Sequence, residues 1–117
     1  MSIERFHTGP RMSQMVVHNG TVYLAGQVAQ TAAGASVAKQ TQAILDQIDG
    51  LLADAGTDKT KILSATIWIC SMDDFAEMNS IWDAWVPQGH TPCRACVESP
   101  RLASADYTVE IGIIAAK

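Results

Sequence analysis

Positive charge is scarce in this chain. Its 117 residues carry 8 Lys and Arg against 12 Asp and Glu, a formal net charge of −4. Nucleic-acid backbones are held by basic patches, and no basic run interleaved with aromatics occurs here, so no nucleic-acid partner is expected. Long apolar runs are missing as well. No stretch approaches the roughly 20 apolar residues that span a bilayer, so no membrane partner is expected. The opening Met1-Ser2-Ile3-Glu4-Arg5 lacks the apolar core of a secretory leader, which makes the cytoplasm the expected compartment. Cysteine is limited to Cys70, Cys93 and Cys96. An odd set is a poor disulfide framework and suits a reducing compartment. Cys93 and Cys96 have C-x-x-C spacing, but they fall on a predicted strand with side chains on opposite faces, not at a helix start that would activate a thiol. His7, His18 and His90 are scattered and complete no metal site.

What is present describes one domain. With 48% hydrophobic and 17% charged residues, the chain can build a modest core of its own. Asn19-Gly20 between two apolar runs is a hairpin signal. Ser36 can cap a helix whose apolar residues Val37, Ile44, Leu45, Ile48, Leu51, Leu52 and Ala55 form one stripe, with Gly56 placed to end it. Ile62 to Cys70 is rich in β-branched residues and reads as a strand. Ser71 with Asp74 has the form of a capping box before a second helix that buries Phe75, Met78, Ile81, Trp82 and Trp85. Cys93 to Glu98 and Tyr107 to Ala115 are the last strands. The order is βββαβαββ, an α+β sandwich in which two helices cover one face of one sheet. The other face is expected to carry Arg94, Cys96 and Glu110 among apolar residues, which favours a closed symmetric oligomer.

The run Thr91-Pro92-Cys93-Arg94-Ala95-Cys96-Val97-Glu98 carries the chemistry. Arg94 and Cys96 point to one side of the strand, Cys93, Ala95 and Val97 to the other. A guanidinium in a sheet calls for an anion, because an unpaired buried charge is costly. In the final strand Glu110 is one carboxylate among apolar residues. Together they suggest a small pocket with a carboxylate-binding arginine and an acid/base glutamate. Plainer roles stand beside these. Arg94 can be an ion-pair partner of Glu98 or Glu110, and Glu110 an interface salt-bridge residue. Cys96 reads as a small buried residue, Asn79 as a helix brace, Gly26 as a strand bend, and Trp82 and Trp85 as core.

The pieces Leu24-Ala25-Gly26-Gln27-Val28, Phe75-Ala76-Glu77-Met78-Asn79, Pro92 to Glu98 and Val109-Glu110-Ile111 occur in an order and spacing that resembles the RidA/YjgF family of enamine/imine deaminases. The similarity runs from about Gly9 to Ala116. It implies a chorismate-mutase-like fold and a homotrimer with sites between subunits. It implies hydrolysis of reactive 2-imino or enamino acids to 2-keto acids and ammonia, with no cofactor. By position, Arg94 would hold the substrate carboxylate, Glu110 would orient or activate water, Gly26 would allow close backbone approach, Cys96 would line the pocket and Asn79 would add a polar wall. The chain departs from the family in three places, one of them a short loop from Val86 to Thr91. A pocket tyrosine near the first turn is absent from Gly9-Pro10-Arg11-Met12-Ser13-Gln14, and the usual Glu-Ile-Glu reads Glu110-Ile111-Gly112. Arg11 would suit a dicarboxylic imino acid. The alternative is a non-enzymatic keto-acid binding protein that uses the same cleft; retention of Glu110 favours the enzyme.

Overall fold

Asn19 and Gly20 both take positive φ, 52° and 76°, the pairing a tight hairpin turn needs to match the twist of its strands. In the computed structural model, which describes residues 2–117, this turn joins β2 (Ser13–His18) to β3 (Thr21–Leu24), and β1 (Glu4–Thr8) lies outside β2. The remaining elements are α1 (Val37–Asp54), β4 (Ile62–Ile69), α2 (Phe75–Trp85), β5 (Cys93–Glu98) and β6 (Val109–Ala116). The βββαβαββ order and the α+β class expected from the sequence are those observed. The six strands form one sheet in the order β1-β2-β3-β6-β4-β5. β4 and β5 are parallel, joined by the α2 crossover; the other neighbours are antiparallel. β1 and β5 are the edges.

One face of the sheet is buried under both helices. Met15, Val22, Ile67, Ile69, Ile111 and Ile113 project from it against Ile44, Leu45, Ile48, Leu52, Met78 and Trp82. Helix α1 starts as its sequence suggests: the Lys39 amide donates to Ser36 Oγ at 3.2 Å, and Gly56 closes the other end at φ 77°. A second cap comes from α2, where Glu77 Oε2 accepts from the Ala38 amide at 2.8 Å. A carboxylate there also meets the positive end of the helix dipole. Gln40 is fully buried within the stripe. Its amide donates to the Ala35 and Asp106 carbonyls, and its oxygen accepts from the Thr108 amide. The group is satisfied and ties α1 to the approach to β6.

The expected capping box does not form. Ser71 Oγ accepts from the Asp73 amide and caps a short 3-10 turn, Met72–Asp74, while Asp74 at the start of α2 makes no side-chain cap. An aspartate is one methylene shorter than the Glu or Gln the box requires. The carboxylate at this helix start comes instead from β5, where Glu98 accepts from the Met72 amide at 3.0 Å. β6 also begins at Val109 instead of Tyr107, because the Tyr107 amide closes a turn by donating to the Ser104 carbonyl.

Candidate active site

Register decides which way the site residues face. Across the parallel β4–β5 pair, Arg94 lies opposite Ala65 and Cys96 opposite Ile67. Ala65 and Ile67 are buried beneath the helices, and opposed residues share a face. Arg94 and Cys96 therefore project to the helix-covered side. Across the β4–β6 pair, Glu110 lies opposite Trp68, one residue out of phase with buried Ile67 and Ile69, so it projects to the open side. The sequence expectation that Arg94, Cys96 and Glu110 share the uncovered face is corrected on this point. β5 is an edge strand exposed on both sides along most of its length, so it has no apolar alternation from which its orientation can be read.

On the helix side, Arg94 is held by α2. Phe75, Asn79 and Trp82 recur at the spacing of one helix face. Arg94 Nη1 donates to Asn79 Oδ1 at 2.7 Å. The guanidinium carbon lies 5.4 Å from the Trp82 ring centroid and 5.8 Å from that of Phe75, within the range of cation–π attraction. Asn79 is thus the arginine's partner, and Arg94 pairs with neither Glu98 nor Glu110. Cys96 packs against the core beside it. Burial pushes the Cys96 thiol up, and the nearby Arg94 charge offsets only part of that, which disfavours the thiolate that a nucleophile needs. Cys93 is exposed on the other face, and all three cysteines are free; the C-x-x-C spacing has no counterpart in space.

On the open side, Glu110 is half-buried, and burial raises its carboxyl above the ordinary glutamate value. Gly26 makes room for it: a methyl group at that position would overlap Glu110 Oε2 and come within 3.0 Å of Cδ. The glycine that resemblance assigned to substrate approach thus accommodates the Glu110 carboxylate. Gly112 has a similar relation to Trp68, whose ring atoms lie 3.3 and 3.4 Å from where a β-carbon would stand. Beside Glu110 this chain thus has an indole across a bare glycine. The same face carries Tyr23, Val97 and Ile114, 45%, 44% and 39% exposed, an apolar surface that one protomer leaves open. Arg11 is exposed in the turn closed by the Gly9 amide on the Met12 carbonyl. That turn extends beyond the Ala25–Gln14 bond, at the end of the sheet where Gly26 meets Glu110.

Within a protomer the two halves are well separated. β6 and β5 are two strand spacings apart, about 10 Å, and Glu110 aligns through Trp68 with Val97, three residues beyond Arg94. Concavities of about 540, 500 and 460 Å³ include neither residue. The first lies around Cys70, Arg101 and Thr108, the last around His7, Gln27, Gln47 and Asp54.

A six-stranded sheet covered on one face by two helices agrees with comparisons to known proteins. The family model described as Endoribonuclease L-PSP matches residues 3–117. RutC family protein YoaB of Escherichia coli K12 is 43% identical over 116 residues, 99% of each chain. A RutC family protein of Haemophilus ducreyi is 43% identical over 114 residues, covering 97% of this chain and 96% of that one. The crystal structure of NMB1025, a YjgF family member from Neisseria meningitidis, matches with a TM-score of 0.95 and 48% identity, covering 100% of this chain and 96% of that one. The chain belongs to the RidA/YjgF family, whose model carries the L-PSP description. No helix among the described residues is long and apolar enough to cross a membrane.

Proposed function

We propose that this protein hydrolyses reactive 2-imino and enamino acids to 2-keto acids and ammonia, in sites that form between copies of the chain. The observation that carries the reading is the guanidinium of Arg94. It is fixed by Asn79 through one nitrogen and backed by two aromatic rings, yet it has no carboxylate partner among the described residues. A planar fork held this way is suited to a substrate carboxylate. Glu110 has the second property the chemistry needs, a carboxyl whose proton affinity is raised by burial.

In this reading Arg94 anchors the carboxylate and Cys96 and Asn79 wall the cleft. Glu110 takes a proton from water as the water oxygen bonds to the imine carbon. That proton passes to nitrogen to give a carbinolamine. Glu110 then takes the hydroxyl proton as the carbon–oxygen double bond forms and delivers it to nitrogen as the carbon–nitrogen bond breaks, so that ammonia leaves with the keto acid. Positioning and one acid/base group supply the catalysis. Because Arg94 and Glu110 project from opposite faces, a complete site takes Arg94 from one protomer and Glu110 from another. Burial of Tyr23, Val97 and Ile114 would drive that assembly, and a closed trimer is the proposed form. Arg11, at the Glu110 end of the sheet, would favour a second carboxylate on the substrate.

The test is to generate 2-imino acids with an amino-acid oxidase and trap them with semicarbazide. Adding the protein should lower the trapped imine, and Arg94→Ala should abolish the effect. A correctly folded sample that binds keto acids but leaves imine decay unchanged would instead make it a carboxylate-binding protein.

A further inference from the structure

Trp82 reads from the sequence as a core residue, and it is one, 4% exposed. It also belongs to a line of contacts that ends on the guanidinium. Arg94 lies over the Trp82 ring at 5.4 Å. Trp82 lies against Trp85, with centroids 5.4 Å apart and planes at 51°. Trp85 carries Lys59 over its ring at 5.1 Å, and its Nε1 donates to the Asp49 carboxylate at 3.1 and 3.2 Å. Asp49 is on α1, so the Trp82–Trp85 pair is fastened at its far end to the other helix. Phe75 gives Arg94 a second ring.

We propose that Trp82 is a positioning residue for the arginine, and that its electron-rich face, not its bulk alone, holds the guanidinium in the orientation that receives an anion. An arginine side chain on an exposed edge strand otherwise keeps several rotamers, and fixing one costs binding energy. Here the ring and the Asn79 oxygen bear that cost during folding. Asn79 takes one Nη1 hydrogen, and the other guanidinium donors remain for a carboxylate. The inference rests on Arg94 being the carboxylate anchor. It adds a residue of α2 to the site and makes that residue an optical reporter, since an anion drawn to Arg94 changes the field at the indole.

The experiment uses the full-length protein and 2-oxobutanoate, a stable keto acid, with binding followed by calorimetry and by tryptophan fluorescence. Trp82 is replaced by tryptophans of increasing fluorination, which weaken the ring's attraction for a cation at nearly constant shape, and by Phe and Leu. Affinity should fall stepwise with fluorination and be about three- to tenfold weaker in Trp82→Leu. KM should rise while kcat changes little. Trp82→Phe should remove the Trp82 share of the fluorescence response, with Trp68→Phe as the reference for the indole beside Glu110. Equal affinity across the fluorinated series, with thermal unfolding unchanged, would overturn the positioning role while leaving the Arg94 site intact. Failure of the unaltered protein to bind the keto acid, or binding indifferent to Arg94→Ala, would remove the anchor reading and this inference with it. Trp82→Leu failing to fold would not affect the fluorinated series.

Discussion

Arg94 and Glu110 project from opposite faces of one sheet, two strands apart. Each is prepared separately: the arginine by Asn79, Phe75 and Trp82 on α2, the glutamate by a glycine that leaves it space. Two half-sites on opposite faces make assembly part of the catalytic proposal.

Replacing Arg94 separates charge from geometry. Arg94→Ala should lower kcat/KM for 2-imino acids by about 100-fold or more, the loss of two charge-assisted bonds. Arg94→Lys should recover little, because an ammonium cannot present the planar fork. Thermal unfolding should shift little in either, since the side chain is exposed. Steady-state kinetics with oxidase-generated imines checks this.

Glu110→Gln should show stability and activity moving in opposite directions. Burial raises the carboxyl, so the folded state holds the proton more tightly than the unfolded chain. The charged form is therefore a cost to folding at neutral pH, relieved as pH falls through the raised value. The amide should unfold at a higher temperature than the parent at pH 7 to 8. That gain should fade as pH falls through the raised value and be gone below the ordinary glutamate value of about 4.3. Activity should be lost throughout, and in the parent it should decline on acidification at a pH above the ordinary glutamate range. Melting curves and rates across pH check both; an equal melting-temperature difference at every pH would contradict the assignment.

Gly26→Ala tests placement of the carboxylate. The clash is with the free end of the Glu110 side chain, which can swing aside, so the fold should survive. A carboxylate displaced by about 1 Å should cost on the order of 100-fold in rate. Kinetics beside a melting curve distinguishes this from general damage.

Arg11→Ala should raise KM selectively for imino acids with a second carboxylate. A matched neutral substrate should be nearly unaffected, and an equal effect on both would remove Arg11 from the site. Because Arg11 sits in an exposed turn, part of its effect should weaken with salt.

The sequence discloses the fold where local chemistry is decisive. Asn19-Gly20, Ser36 and Gly56 act within a few residues, and the α1 stripe follows helical spacing. It points to the candidate site's residue types for the same reason, since a lone arginine and a lone glutamate stand out in strands. It does not disclose their faces. β5 is exposed on both sides, so its orientation follows from pairing with β4, a contact made across the intervening α2. Gln40 in the apolar stripe and Trp82 under Arg94 escape notice likewise: one is satisfied by chain 66 and 68 residues away, and the other serves as core and platform at once. Gly26 reads as a bend until the Glu110 carboxylate is seen beside it.

The most direct measurement mixes two inactive proteins. Arg94→Ala keeps Glu110, and Glu110→Gln keeps Arg94. Each alone should be inactive as a homo-oligomer. Unfolded together and refolded as mixed oligomers, they should recover about a quarter of the parent activity, the fraction of sites that draw Arg94 from one variant and Glu110 from the other by chance in a closed ring. No recovery, from mixed oligomers shown to have formed, would contradict a site shared between protomers.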